Sequence, residues 1–317
     1  MASTTASGIP LDTSAPTPEV VMATMKALTP SQIKSQKEVM DRGTVSVREF
    51  SCGPHERNKL DLYLPTASTG GKRPLVLFAF GGGFVNGDKR MPPAQGSIYF
   101  NVGSYFVEQA GLAAINVNYR LFPSHGAKYP SGGEDVALAL KWLAETDDAE
   151  VREKVDLNNI FLFGTSAGAF HLATYLWCPQ EKKTWAPTPS NLNVSGFLCW
   201  NIPAHFASAE ASRAPILKGY LGEDLAANDA VTMRRSSDDK TPALVAWSDH
   251  DMPTEIIQPI QDLLKVWSSL PEEVPRPETL VMEGHNHFSP AMALGLGGPD
   301  DAWTENMVAW IKKTAGL

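Results

Sequence analysis

A pentapeptide with serine at its centre, Gly164-Thr165-Ser166-Ala167-Gly168, is the feature that most constrains how this chain can fold. It follows an apolar run at 160–163 that suits a buried strand, and it precedes a helix-like segment at 169–176. Both glycines fit a sharp turn, because such a turn crowds its own backbone and a Cβ at either flank would clash. The pattern therefore predicts a strand, a tight turn and a helix, with the Ser166 hydroxyl raised above a sheet and the Ala167 N–H at a helix start.

From about residue 44, segments typical of strands and of helices alternate along the chain. Strands are predicted at 44–50, 59–64, 75–80, 112–117, 160–163, 194–200, 243–247 and 280–282, and helices at 135–144, 256–267 and 303–311. This alternation predicts an α/β fold with a mostly parallel central sheet and helices on both faces. In such a sheet, ligands bind outside the carboxyl ends of the strands.

A glycine-rich loop, Phe80-Gly81-Gly82-Gly83-Phe84, follows the third predicted strand. Consecutive glycines free the backbone to turn its N–H groups into a cavity, where they can bind an oxyanion. The alternatives are a plain flexible turn or a phosphate-binding loop, but the Gly-Lys-Ser/Thr of a Walker pattern does not follow. The serine turn downstream favours the oxyanion interpretation.

A serine hydroxyl is a weak nucleophile, so it needs a base, and the base needs an acid that orients it. Two predicted strands are followed by residues of these types. Asp249 and Asp251 follow strand 243–247, and His285 and His287 follow strand 280–282. Because both groups lie at carboxyl ends of strands, the sheet would bring them to Ser166. The spacing itself leaves two candidates for each role.

The order of these motifs resembles the α/β-hydrolase superfamily, specifically the hormone-sensitive-lipase-like and kynurenine-formamidase-like carboxylesterases. The matching pieces lie between residues 75 and 290 and follow the family's order: Gly81-Gly82-Gly83, Val117-Asn118-Tyr119-Arg120-Leu121, Gly133-Glu134-Asp135 leading into Lys141-Trp142-Leu143, Gly164 to Gly168, Ser248 to Asp251, and His287-Phe288. The stretch 284–295 looks most like fungal members of the family. The set is specific for the superfamily and unspecific for the substrate.

The resemblance assigns roles to particular residues. It implies Ser166 as nucleophile, Asp251 rather than Asp249 as acid, and His287 rather than His285 as base. The implied oxyanion donors are the backbone N–H groups of Gly82, Gly83 and Ala167.

The expected activity is hydrolysis of a carboxylic ester of a small or medium-sized molecule through an acyl-enzyme, without a metal or organic cofactor. An amide, as in formamidases, or a lactone is an alternative substrate for the same residues. From another class, a non-catalytic ligand-binding protein on this fold is the alternative, although such proteins commonly lose the histidine. A hydroxynitrile-lyase-like or cyclase-like activity is the remaining alternative.

The sequence departs from the family's pattern at one position of the glycine loop. The family usually has a histidine before the glycines, and here that residue is Phe80. The family histidine organises the loop and is not a triad member, so the chemistry should survive. Other polar and aromatic residues receive structural interpretations: His171 as a packed helix residue, His125 and His205 as loop residues, Tyr119 and Arg120 as hydrogen-bonding supports of a loop, and Trp142, Trp200, Trp247, Trp267 and Trp310 as core.

The chain divides into an N-terminal region, 1–43, and an α/β-hydrolase catalytic domain, 44–317. Residues up to about 16 are rich in Ser, Thr, Ala and Pro and are predicted to be a mobile arm. Two cap helices are predicted to begin near Thr17 and Thr29, since each threonine is followed by proline. Their apolar residues need a surface to cover: Val21, Met25, Leu28, Ile33 and Met40. The less regular stretch 204–240 is predicted to be a small lid-like insertion.

Composition limits the partners. The formal net charge is −8 and the basic residue pairs are scattered, which predicts no nucleic-acid partner. No apolar run reaches membrane-spanning length, and residues 1–7 do not resemble a secretory signal. The three cysteines are far apart and are expected to be reduced thiols, which favours a cytoplasmic location. No metal-binding spacing is found. A small-molecule ester, amide or lactone is therefore the expected partner, and the oligomeric state is left open.

Overall fold

A computed structural model describes residues 4–5, 7–11, 17–67, 71–298 and 301–317 of the chain. Its centre is an eight-stranded sheet with the order β1-β2-β4-β3-β5-β6-β7-β8. Strand β2 runs antiparallel to β1 and β4, and all other neighbouring strands are parallel. The strands are β1 Val45–Ser51, β2 Lys59–Pro65, β3 Arg73–Ala79, β4 Ala113–Val117, β5 Val155–Thr165, β6 Val194–Trp200, β7 Ala243–Ser248 and β8 Glu278–Met282.

Helices cover both faces of this sheet. The α-helices are α1 Thr17–Arg42, α2 Phe100–Glu108, α3 Ser131–Glu145, α4 Ala149–Lys154, α5 Ala167–Trp177, α6 Ala214–Leu221, α7 Ala230–Ser236, α8 Gln258–Ser268, α9 Ser289–Ala293 and α10 Thr304–Ala315. Short 3₁₀ turns lie at Pro92–Ala94, Gln180–Lys182, Ala211–Arg213 and Ala226–Asn228, and a π-helical turn at Pro253–Ile257 precedes α8.

Ring contacts show which helices lie on which face. Phe163 of β5 contacts Phe106 of α2, with ring centroids 5.9 Å apart. Leu162 points to the opposite face, because side chains alternate along a strand. Leu162 is in register with Phe197 of β6, whose ring contacts Trp177 of α5 at 5.6 Å. Helices α2 and α5 therefore pack on opposite faces, and the predicted mostly parallel sheet between two helical layers is confirmed.

Every predicted strand is present, with ends shifted by a few residues. Strand β4 is buried along its whole length, and β3 is buried after its first residue, which accounts for their continuously apolar sequences. Helices α2, α4, α6, α7 and α9 were not predicted. Gly103 interrupts the pattern of α2, and it is needed there because an added Cβ would lie 2.6 Å from the ring of Tyr63.

The N-terminal helices form one helix and not two, so the predicted second start near Thr29 is wrong. Helix α1 continues through Pro30, which faces solvent. Thr24, Leu28 and Gln32 recur every four residues on its buried face and contact the protein on both sides of the proline. These tertiary contacts outweigh the local capping signal. Met40, predicted to cover a surface, is 57% exposed.

The described residues of the N-terminal arm make defined contacts. Residues 4 and 10 form an isolated β-bridge, and Ile9 is completely buried. The prediction of a mobile arm for residues 1–3, 6 and 12–16 lies outside the described residues. Within the proposed lid 204–240, α7 packs against α5 and α8 and so belongs to the helical layer on the sheet.

Candidate active site

Ser166 lies at the apex of a strained turn between β5 and α5. Its backbone has φ 54° and ψ −124°, a conformation that L-residues rarely adopt. A Cβ added at Gly164 would lie 2.5 Å from the Ala169 nitrogen, and one added at Gly168 would lie 2.1 Å from the carbonyl oxygen of Ala79. The glycines of the pentapeptide are thus required by close backbone approach, as the sequence pattern predicts.

The structure brings together Ser166, His287 and Asp251, which lie far apart along the chain. His287 Nε2 is 2.9 Å from Ser166 Oγ. His287 Nδ1 is 2.9 Å from each carboxylate oxygen of Asp251. Because an ionised carboxylate only accepts, Nδ1–H donates to Asp251, and Nε2 is left to accept the serine O–H. His287 and Asp251 are both buried, Asp251 almost completely.

The two rival candidates occupy other positions. Asp249 accepts a hydrogen bond from the backbone N–H of His285 at 3.1 Å, which joins the loop after β7 to the loop after β8. The His285 ring is completely buried, accepts from Trp303 Nε1 at 3.1 Å through Nε2, and lies 2.8 Å from Ser289 Oγ through Nδ1. Asp249 and His285 therefore shape the loops that carry Asp251 and His287.

The glycine loop lies beside the serine turn. A Cβ built on Gly81 would be 3.0 Å from Ser166 Cβ. The carbonyl of Gly82 accepts from the N–H groups of Val85 and Asn86, which closes the loop on itself. Among the described residues, no protein acceptor is recorded for the N–H groups of Gly82, Gly83 and Ala167. Unpaired N–H groups beside a nucleophile are suited to bind developing negative charge.

Phe80, where the family has histidine, is held by a stack of aromatic rings. Its ring lies between Tyr119, with centroids 4.4 Å apart, and Tyr99, at 5.9 Å. The Tyr119 hydroxyl donates to the Phe80 carbonyl at 2.7 Å. Tyr119 thus binds the Phe80–Gly81 peptide group and orients the backbone just before Gly82. Burial raises the pKa of Tyr99 to about 12, so it stays neutral.

Ionic contacts fix the far end of this loop. Asp88 pairs with Arg57 at 3.1 Å and accepts from Asn118 Nδ2 at 2.9 Å. Asn118 also accepts from the Lys89 N–H at 2.7 Å, and the Lys89 side chain is 3.1 Å from the buried carboxylate of Asp61. Asn118 and Tyr119 come from the motif that follows β4, so this motif supports the glycine loop from both ends. The predicted supporting role of Tyr119 agrees with these contacts.

His171 is packed among aromatic rings behind the serine. It is completely buried, and its ring contacts Phe84, Tyr119 and Tyr220. Burial lowers the pKa of His171 to about 3, so the ring is neutral and cannot serve as a base at neutral pH. Phe84 also stacks on Tyr220 at 4.7 Å and contacts Phe206. The apolar wall beside the serine therefore includes side chains from the segment 204–240.

Sequence reasoning missed two side chains at this site, Tyr99 and Asn286. Tyr99 lies outside every motif and has φ 72°, which the sequence does not signal. Asn286 lies between the two histidines of the loop after β8 and belongs to no catalytic motif. Its signal was the spacing to Ser289, since asparagine often accepts from N–H groups two and three residues further on.

Metal binding, membrane insertion and the state of the cysteines bear on the predicted partners and location. Within the described ranges, no group of three or more His, Cys, Asp or Glu side chains could bind a metal ion, and no helix has the length and apolar character needed to cross a bilayer. The three cysteines are free thiols, and burial raises the pKa of Cys52 to about 12.

The sheet order, the strained serine turn and the three polar side chains at the carboxyl ends of β5, β7 and β8 define an α/β-hydrolase fold. A crystal structure of esterase B from Lactobacillus rhamnosus superposes with a TM-score of 0.68 at 17% identity, over 93% of this chain and 96% of that one. The BD-FAE family model matches residues 60–231, and the chain belongs to this family. The predicted fold and superfamily are confirmed, and the likeness to fungal members stays a prediction.

Curated relatives include two proteins of Arabidopsis thaliana. Probable carboxylesterase 3 is 27% identical over 166 residues, which cover 50% of this chain and 48% of that protein. Probable carboxylesterase 2 is 35% identical over 116 residues, which cover 35% of each. The chain thus matches a third to a half of the length of these relatives.

Proposed function

We propose that this protein is a serine hydrolase that cleaves a carboxylic ester of a small or medium-sized molecule. The observation that carries the proposal is the unbroken chain of 2.9 Å contacts from Ser166 Oγ through His287 to Asp251. A nucleophile, a base and an orienting acid in this geometry are the elements of acyl transfer. The names of the relatives, probable carboxylesterases, support an ester as the substrate.

In the proposed reaction, Ser166 Oγ attacks the ester carbonyl while His287 Nε2 takes the serine proton. The Asp251 carboxylate holds the imidazole in the required tautomer and stabilises the imidazolium that forms. His287 then gives its proton to the leaving alcohol, which leaves an acyl group on Ser166. A water molecule then attacks the acyl carbonyl while His287 takes its proton. His287 gives that proton to Ser166 Oγ as the carboxylic acid leaves, which restores the free enzyme.

The oxyanion of each tetrahedral intermediate would be bound by the N–H groups of Gly82, Gly83 and Ala167. Their lack of acceptors among the described residues supports this role, and so does the position of Ala167 at the first turn of α5. No step in this scheme calls for a metal ion or an organic cofactor.

An amide or a lactone is the alternative substrate class, because the same three residues can attack either carbonyl. A ligand-binding protein without activity is disfavoured, because the histidine is present and lies in contact with both partners. The free cysteines support the expectation of a cytoplasmic location within this proposal.

The test combines labelling with a substrate panel. A fluorophosphonate should label the wild-type protein at Ser166, and Ser166→Ala should lower kcat on p-nitrophenyl esters by about 10⁶ while the protein stays folded. Ser195→Ala, which changes a half-buried serine at the amino-terminal end of β6, is the matched control and should behave as wild type. Labelling at another serine, with hydrolysis retained in Ser166→Ala, would reject the assignment. An aryl formamide and a lactone in the panel would show which bond is preferred.

A further inference from the structure

Asn286 lies between the two histidines of the loop after β8 and is completely buried. Its side-chain carbonyl accepts from the N–H groups of Phe288 at 2.9 Å and Ser289 at 3.0 Å. The amide of Asn286 thus spans the backbone of His287 and determines the shape of the turn that carries it.

The other end of the same amide binds the N-terminal region. Asn286 Nδ2 donates to the Pro10 carbonyl at 2.9 Å and to Thr24 Oγ1 at 2.8 Å. Thr24 is itself buried and donates to the Val20 carbonyl at 2.7 Å. The Asn286 amide therefore makes four hydrogen bonds. Its oxygen accepts two from the loop after β8, and its nitrogen donates two to the N-terminal region.

Further contacts keep this N-terminal region against the loop. Gln32 Nε2 donates to the Met292 carbonyl of α9 at 2.7 Å. A separate apolar cluster joins three parts of the chain, and its buried members are Ile9, Leu28, Ala94, Ile98, Met292 and Ala293. The acceptors of Asn286 are therefore presented by a packed surface and not by a loose strand end.

We infer that Asn286 is a positioning residue through which the N-terminal region holds His287 in its catalytic place. From the sheet side, Asn201 Nδ2 donates to the His287 carbonyl at 3.2 Å. From the opposite side, Asn286 relays the position of residue 10 and of α1 to the two peptide groups that follow His287. The inference rests on the proposed function, because it concerns the base of that reaction. It makes the N-terminal region part of the catalytic apparatus and not only a cover for substrate.

An imidazole must lie within hydrogen-bond reach of both serine and carboxylate, and an error of about 1 Å can cost on the order of 100-fold in rate. A loop with a flexible turn at residues 286–289 would spread His287 over several positions. Four hydrogen bonds to one buried amide restrict that spread.

The test replaces the amide without changing its size. Asn286→Asp keeps an acceptor for Phe288 and Ser289 but cannot donate to Pro10, so it should lower kcat about 10- to 100-fold with little change in KM. Thr24→Val removes the acceptor on α1 from the other side and should lower kcat in the same direction, whereas Thr24→Ser, which keeps the hydroxyl, should restore it. Asn193→Asp is the matched control, because Asn193 also makes two side-chain donations but lies before β6, at the other end of the sheet.

A second readout does not depend on turnover. The Nδ1–H proton of His287, in its bond to Asp251, gives a downfield NMR resonance that should broaden or shift in Asn286→Asp and Thr24→Val and stay unchanged in Asn193→Asp. The rate of fluorophosphonate labelling at Ser166 should fall in parallel with kcat.

The outcomes separate the two proposals. If kcat, labelling rate and the His287 resonance in Asn286→Asp or Thr24→Val all match wild type, the positioning role is wrong even though hydrolysis stands. If the wild-type protein neither hydrolyses the panel nor reacts at Ser166, the proposed function fails, and the resonance alone then decides whether Asn286 positions His287. Should Asn286→Asp fail to fold, Thr24→Val still gives both readouts.

Discussion

At the scale of single residues, the site shows how two identical side chains two positions apart acquire different roles. Asp249 and Asp251 lie in one turn after β7, but only Asp251 faces the His287 ring. His285 and His287 follow β8, but the ring of His285 contacts Trp303 and Ser289 on the far side of the loop. The backbone of each turn sets the direction of these side chains and so separates the proposed base from its neighbour.

We predict unequal effects of paired substitutions at these positions. His287→Ala should lower kcat about as much as Ser166→Ala, and Asp251→Asn about 10⁴-fold, because the asparagine favours the wrong imidazole tautomer. Asp249→Asn keeps the oxygen that accepts from the His285 N–H and should lower kcat less than tenfold, a rough bound from the value of one hydrogen bond. Steady-state kinetics on one p-nitrophenyl ester measures all of them.

His285→Ala serves as the companion control. It should lower the melting temperature, since it leaves the buried Trp303 indole without its acceptor, while the folded protein keeps most of its activity. If Asp249→Asn or His285→Ala abolished turnover in a folded protein while Asp251→Asn did not, the roles given to these residues would have to be exchanged.

At the scale of elements, the glycine loop depends on residues that arrive from β4 and from the turn before α2. Phe80 lacks the hydrogen bonds that a histidine would make, and an aromatic stack with Tyr99 and Tyr119 takes over the orientation of the loop. The bond from Tyr119 to the Phe80 carbonyl acts one peptide before the proposed oxyanion donors.

Tyr119→Phe should therefore lower kcat about tenfold with KM nearly unchanged. The ring stack survives, but the Phe80 carbonyl loses its bond to Tyr119, so the effect should stay below the 10²–10³ typical of losing an oxyanion donor outright. The matched control is Tyr175→Phe. Tyr175 lies on α5, away from the glycine loop, and this change removes its hydroxyl, which is hydrogen-bonded to Thr188. An unchanged kcat with a lowered melting temperature would reduce Tyr119 to a purely structural role.

At the scale of the whole molecule, two regions are proposed to form the cap: residues 1–43 and the part of 204–240 that precedes α7. Phe206 and Tyr220 contact Phe84 beside the glycine loop, which supports the second region. Helix α1 packs on α2 and α9, and its cluster around Leu28 is separate from the main core.

This separation predicts that α1 can be loosened without unfolding the sheet. Leu28→Ala should reduce the global free energy of unfolding by less than half as much as Leu140→Ala, a core substitution expected to cost about 2–5 kcal/mol. The same variant should change KM across esters of rising acyl length and speed amide exchange in α1. Urea unfolding, ester kinetics and hydrogen exchange measure these effects. Equal losses of stability with unaltered selectivity would show that α1 belongs to the core.

Local sequence was sufficient to predict the features that depend on neighbouring residues. Apolar runs, and stretches in which polar and apolar residues alternate, predicted eight strands in order. The glycines around Ser166 predicted a strained turn. Strand patterning and turn crowding both act within a few residues of the chain. The prediction that the polar residues after β7 and β8 lie near Ser166 followed from the rule that parallel strands end at one edge of the sheet.

Other features depend on contacts between residues that are distant in the chain, and these became visible in the folded molecule. Residue spacing left two candidates in each pair, and the family resemblance favoured Asp251 and His287. The contact between those two side chains depends on the directions of two turns that lie 36 residues apart in the chain. The single helix α1 required contacts between Thr24 and Asn286, 262 residues away, on one side of Pro30 and between Gln32 and Met292 on the other. Local propensity at Thr29-Pro30 favours a new helix start, but it is weaker than burial and hydrogen bonding contributed from the other end of the chain. Such contacts have no signature in the residues around either partner, because they form only when the sheet brings the two ends of the chain together.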